Sequence, residues 1–321
     1  MTHMDYAPRI KVIGIGGGGT NAVDAMTGAN LHRVEFVVAD TGPRQLIHTR
    51  AAHRIRLAPD IVQGPGVKPD VGDAAAGEIR RCLDGAHMVF IVAGMGGNAG
   101  TGVAPVIARM AKDCGILTVG VVTTPFGFEG ARRAQVAQDG IAGVQQCADM
   151  LIVIPNDKLL LKASAPVAEH DAFKMADGAI HSGISRIAGL LFRRQKIGID
   201  FAGVRAVITN MGKAAIGTGE AAGENRAIQA AELAMADPLL GDADFSDASG
   251  LLITVTGGED STLFEVDRAA TRIRREFGDK VHVIFGWLRD KSMEGRLSVA
   301  IVVVGRRNFS ASVTPMPCIP N

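Results

Sequence analysis

Two glycine-rich stretches carry most of the chemistry this sequence offers. One is GIGGGGTN, Gly14 to Asn21; the other is GMGGNAGTG, Gly94 to Gly102, with five glycines in nine residues. Each follows a short apolar run and precedes a segment with helical spacing. Glycine permits φ > 0 and lets peptide N–H groups approach a ligand, while a following helix aims its positive end at the same point. Amides placed in this way can hold a di- or triphosphate alone, so the absence of lysine from both stretches is no obstacle. A P-loop is excluded, because it requires G-x-x-x-x-G-K-[ST] and no such string occurs. GIGGGG also fits G-x-G-x-x-G, which keeps a nicotinamide-dependent oxidoreductase open, although that reading gives the second stretch no role.

The elements that must position these stretches are short and rich in Val and Ile: IKVIGI (10–15), VEFVVAD (34–40), MVFIVA (88–93), ILTVGVVTT (116–124) and MLIVIP (150–155). Runs apolar on both faces, alternating with helical segments such as VAPVIARMAKD, predict a doubly wound parallel sheet over residues 1–168. Loops at the carboxyl ends of such strands converge on one crevice. From Asp171 to Arg194 apolar residues recur at three, four and seven, predicting a rod of about 36 Å, a long central helix assigned to 169–196. Beyond it, strands are expected at 213–219, 250–257, 280–288 and 296–305, with helices at about 223–236 and 262–277. That pattern is a smaller α+β domain over 197–305, and residues 306–321 read as a short flexible tail.

Composition narrows the function. The formal net charge of +1 argues against bulk attraction to nucleic acid or anionic lipid. Cys82, Cys114, Cys147 and Cys318 are far apart and the eight histidines are scattered, so no side-chain metal site is expected. The opening MTHMDYAPR lacks an apolar signal core, and no apolar run approaches about 18 residues. A cytoplasmic protein without membrane insertion is expected.

IKVIGIGGGGTNAV, GMGGNAGTGVAPVIARMAKDCGILTVGVVTTPFGFEGARR, IPNDKLL and IDFAGVR, in that order, resemble the FtsZ family, bacterial relatives of tubulin, from Ile10 to Gly305. The resemblance implies a GTP-binding domain followed by a domain bearing a polymer-contact loop, with GTP or GDP and Mg2+ as ligands and head-to-tail filaments as the assembly. By position it assigns the phosphates to Gly16, Gly17, Gly18 and Gly19 up to Asn21, and to Gly96, Gly97, Asn98, Ala99, Gly100, Thr101 and Gly102, with Thr101 offering its hydroxyl. It assigns the ribose to Glu129 and Arg133, and the guanine to Asn21, Phe173 and Asp177. A carboxylate at Asp177 accepts from guanine N1–H and the exocyclic amine but faces a lone pair on adenine, so guanine is preferred.

The chain departs from the family where hydrolysis is completed. The contact loop N-x-D-x-x-D is here Gly198-Ile199-Asp200-Phe201-Ala202-Gly203, leaving Asp200 as the one polarising acid. Orienting the attacking water is worth about 10²–10⁴-fold, so GTP hydrolysis is expected to be weak. Ala99 replaces a threonine, Asp40-Thr41-Gly42 replaces N-T-D with loss of an acid associated with Mg2+, and the loop at Gly64 to Gly72 is short. The tail ends without a membrane-adaptor peptide, resembling the truncated FtsZ-like paralogues of some bacteria, including those of magnetosome gene clusters. Two functions are therefore carried forward. The first is a filament-forming GTPase of reduced activity, serving division or an organelle, alone or co-assembled with an intact FtsZ. The second is a non-catalytic guanine-nucleotide scaffold or modulator of FtsZ filaments.

Overall fold

The computed structural model describes residues 8–28, 34–57, 71–163, 165–192, 201–209, 212–240, 248–278 and 281–305. Gly198, Asp200, the tail and most of the loop at Gly64 to Gly72 lie outside them. Among the described residues, Arg9–His181 form one compact unit and Ser182 onward a second.

The first unit holds six strands: β1 (Ile10–Ile15), β2 (Val34–Asp40), β3 (His53–Arg56), β4 (Met88–Gly94), β5 (Leu117–Thr124) and β6 (Met150–Pro155). Their order is β3-β2-β1-β4-β5-β6, and every pairing is parallel. Strands β1, β4 and β5 bury almost every residue, which is why their sequences are mostly apolar on both faces rather than alternating. Helices α1 (Gly16–Thr27), α2 (Pro43–His48), α3 (Asp73–Leu83), α4 (Asn98–Asp113), α5 (Ala131–Cys147) and α6 (Asn156–Leu160) follow strands or link them. Helix α7 (Glu169–Phe192) begins in this unit and buries Ala172, Ala176 and Ile180 at four-residue steps.

Strand order reverses at β1, which has β2 on one side and β4 on the other. Doubly wound sheets open their ligand crevice at such a point. The glycine stretches follow β1 and β4, so they flank it directly. Register levels the edge: Ile15 pairs with both Ala39 and Ala93. Gly16, Asp40 and Gly94 are therefore the next residues along one row.

The second unit contains α8 (Phe201–Ile208), β7 (Gly212–Ala222), α9 (Arg226–Met235), β8 (Ala248–Gly257), α10 (Leu263–Phe277), β9 (His282–Arg289) and β10 (Arg296–Gly305). Its strand order is β7-β10-β8-β9, with β10 antiparallel to both neighbours and β8 parallel to β9. Helix α10 starts with a capping box, in which Glu265 N–H donates to Thr262 Oγ1 and Thr262 N–H donates to Glu265 Oε2. Arg226 is buried and binds Glu265 Oε1 and Asp260 Oδ2, each at 2.6 Å, which fastens the start of α9 to the start of α10.

Strands expected at 10–15, 34–40, 150–155 and 296–305 have those bounds. Strand β3 and helix α2 were not foreseen. The first is an edge strand whose sequence, HRIR, buries only Ile55. The second is a six-residue turn of helix started by Pro43.

Candidate functional site

The structure turns the first glycine stretch into the start of a helix. Gly16 takes φ 71°, a backbone that side chains disfavour, and opens α1. Gly97 is the N-cap of α4, in extended backbone at φ −96°, and the positive φ of the second stretch, 95°, falls on Gly96. Neither helix has a side-chain cap or an acid in its first turn, so the positive ends of both dipoles are undiminished where they meet. The loops touch backbone to backbone: a Cβ at Gly16 would lie 3.0 Å from Gly100 N, and one at Gly100 would lie 2.5 Å from Gly94 O. On the other side of the same loops, a Cβ at Gly17 or Gly97 would meet nothing within 4 Å. Bare backbone thus faces a cleft of about 340 Å³.

The residues singled out from the sequence divide into two groups. Gly16, Gly17, Gly18, Asn21, Gly97, Asn98, Ala99 and Gly100 line the cleft, together with Glu129, Arg133, Phe173 and Asp177. Gly19, Gly96, Thr101 and Gly102 are not in its wall. Gly19 lets α1 approach β4, since a Cβ there would lie 2.5 Å from Val92 O. Gly96 packs against Arg133 and donates its N–H to Thr101 Oγ1 at 2.8 Å, so the buried threonine hydroxyl holds the loop. Gly102 is buried inside α4.

The remaining wall combines the ring of Phe173, held by Phe126 behind it, with the carboxylates of Glu129 and Asp177. Phe126, fully buried, stacks on the exposed Phe128 with centroids 5.2 Å apart and meets Phe173 edge-on at 5.3 Å. Glu129 accepts from Phe126 N–H through Oε1 at 2.8 Å and from Arg133 Nε through Oε2 at 3.1 Å. Each oxygen keeps a second lone pair for a hydroxyl donor. Phe173 and Asp177 lie one helical turn apart on α7, on the face that also presents Ala176 and Ile180 to the cleft. Burial pushes the carboxyl of Asp177 up to about 6.

Sequence reasoning missed part of the wall: Thr41, Gln45, Met95 and Thr123 to Pro125. Most of these stand at or just past the carboxyl ends of β2, β4 and β5, and the strand-end rule could have found them. Asp40 also lines the cleft, in a stretch read from sequence as having lost an acid. Its Oδ1 accepts from Gly42 N–H at 2.8 Å, and its Oδ2 is buried without a hydrogen-bond partner. Among the described residues no group of three or more His, Cys, Asp or Glu could hold a metal ion by itself. Asp200 lies outside the described residues.

The chain that carries this cleft has relatives among known proteins. Residues 9–163 match the model of the tubulin/FtsZ family GTPase domain, and residues 212–307 that of the FtsZ family C-terminal domain. Cell division protein FtsZ of Bartonella bacilliformis is 49% identical over 318 residues, covering 96% of this chain and 53% of the relative. Cell division protein FtsZ 2 of Rhizobium meliloti is 47% identical over 307 residues, covering 94% of this chain and 89% of the relative. The chain thus spans about half the length of some relatives it matches and most of others. An empty FtsZ dimer from M. jannaschii superposes with a TM-score of 0.86 at 33% identity, over 98% of this chain and 96% of that one. With both halves matched in sequence and the glycine loops in place on the same fold, this chain belongs to the FtsZ family.

Proposed function

We propose that this chain is a GTP-binding cytoskeletal protein of the cytoplasm that assembles head to tail, alone or with an intact FtsZ, and hydrolyses GTP slowly. The observation that carries the nucleotide reading is the pair of helices, α1 and α4, whose uncapped first turns open onto one cleft. Gly16 to Gly18 and Gly97 to Gly100 would hold the phosphates, and Glu129 with Arg133 the ribose. Asn21, Phe173 and Asp177 would hold the base, the carboxylate selecting guanine. A divalent cation such as Mg2+ would offset the phosphate charge, and the buried Oδ2 of Asp40 fits one.

Self-assembly is supported by the family and by a solved relative described as a dimer. It is also supported by two exposed large apolar side chains, Phe128 and Leu161, on segments joined by the Gly127 N–H to Asp157 Oδ1 bond at 2.9 Å. Among the described residues no helix is long and apolar enough to cross a membrane.

Calorimetric titration of the nucleotide-free chain with GTP, GDP and ATP, paired with light scattering, tests the proposal. Binding of GTP and GDP but not ATP, with scattering that rises on GTP, is expected; equal affinity for adenine and guanine nucleotides would overturn it. The stretch Gly198 to Gly203 keeps one acid, Asp200, and this favours a second reading in which the chain is a non-catalytic scaffold. Phosphate release that is slow in the wild type and falls further in Asp200→Ala supports the enzyme. No difference between the two supports the scaffold.

A further inference from the structure

Asp40 occupies an electrostatically awkward position. It ends β2, is only 4% exposed, and stands in the row with Gly16 and Gly94 at the mouth of the cleft. One carboxylate oxygen is engaged by Gly42 N–H at 2.8 Å, and the other is buried with no partner. The cross-strand neighbour Arg56 is exposed and leaves that oxygen unpaired. A buried acceptor of this kind signals a missing ion, ligand or water.

The rest of the cleft narrows the choice. Its floor is built from the positive ends of α1 and α4, which attract an anion, yet Asp40 sets a negative charge on the same wall. An anion in the cradle and a carboxylate beside it repel each other in a site of reduced dielectric. A divalent cation bound beside Asp40 would offset both anomalies, because it would partner the orphaned carboxylate and neutralise phosphate charge. Thr41 and Gln45, which also line the cleft, add neutral oxygens of the hard type that Mg2+ and Mn2+ accept alongside water. No described cluster of three or more metal-binding side chains exists, so one carboxylate cannot hold the ion without the phosphate.

We propose that Asp40 is this chain's own ligand for a divalent cation that enters with the nucleotide polyphosphate, so that cation and nucleotide bind as a pair. This rests on the nucleotide reading above. Gly42 offers no side chain, and the acid two residues earlier does the work from β2.

The test is calorimetry of GDP binding to the full chain, with Mg2+ and with EDTA, for the wild type and Asp40→Asn. The amide keeps the acceptor for Gly42 N–H and removes the charge. Chelation is expected to weaken GDP binding by about tenfold in the wild type and by much less in Asp40→Asn, whose affinity in EDTA exceeds that of the wild type. Equal Mg2+ dependence in the two proteins overturns the proposal. Failure of the wild type to bind GDP in either buffer overturns the nucleotide reading instead. A second measurement needs no variant: Mn2+, followed by its paramagnetic resonance signal, is expected to bind the wild-type GDP complex more tightly than GDP alone. It is expected to leave the nucleotide-free chain unoccupied. Equal Mn2+ affinity for GDP with and without protein overturns the proposal.

Discussion

Phe126 holds Phe173 edge-on, with ring centroids 5.3 Å apart and planes at 88°. The first ring is fully buried and the second 38% exposed, so a core residue fixes the angle at which a ring on α7 meets the cleft. On the proposed role of Phe173 against the base, Phe173→Ala is expected to weaken GDP binding by about 1–3 kcal/mol. Loss of the ring pair costs about 0.5–1.5 kcal/mol of stability, a shift of a few degrees in melting. Calorimetry and a thermal melt separate the two effects.

If Asp177 holds the base as proposed, its burial gives binding a pH dependence whose sign can be worked out. Burial raises its carboxyl from 3.8 to about 6, so the folded, empty chain keeps a proton there that the unfolded chain has already released. Ionisation therefore costs the empty fold stability above about pH 6, and that cost disappears below about pH 4. Guanine N–H donors need the carboxylate, so affinity for GDP is expected to rise about tenfold from pH 5 to pH 7 and then level off. Titrations across this range check the slope, which Asp177→Asn should abolish along with the preference for guanine.

Gly17 and Gly100 belong to loops of the same site and should respond in opposite ways. Gly17 lies in the first turn of α1 with open space around its missing Cβ, so alanine there should preserve or slightly raise stability, while its methyl group crowds the ligand. Gly100→Ala drives a Cβ to 2.5 Å from Gly94 O and should cost about 1–3 kcal/mol in folding. Melting curves and GDP titrations of the pair resolve the contrast.

Arg226 is the tie of the second unit. Its hydrogen bonds hold Glu265 at about 2, well below the usual carboxylate range, so their contribution is complete above about pH 4.5 and is lost as pH falls towards 2. Arg226→Ala leaves the half-buried Glu265 without its bidentate partner and should lose about 1–3 kcal/mol. Chemical denaturation at pH 7 and pH 3 is expected to give a smaller loss at the lower pH.

The sheet of the first unit was legible because buried parallel strands are rich in Val and Ile on both faces, and the bounds of β1, β2 and β6 read from end to end. Strand β3 was not, because a short edge strand with one buried residue leaves no pattern to find. In the site, the two glycine stretches announced themselves, but which glycines line the cleft did not. Gly19 and Gly96 look like Gly17 and Gly97 in sequence, and only their packing against Val92 and Arg133 separates them. Asp40-Thr41-Gly42 read as a stretch that loses its acid at Gly42, whereas the register of β1, β2 and β4 brings Asp40 to the same row as both loops.

The pairing of Ile10 with Met88 has a kinetic consequence. The cleft has no existence until β4 docks beside β1, and two strands and three helices intervene in the chain. Such distant closure is slow, and a nucleotide cannot assist it by gripping the first loop alone, because the second loop is not yet there. Ligand should therefore leave the rate of folding largely unchanged and act by slowing the escape from the finished state.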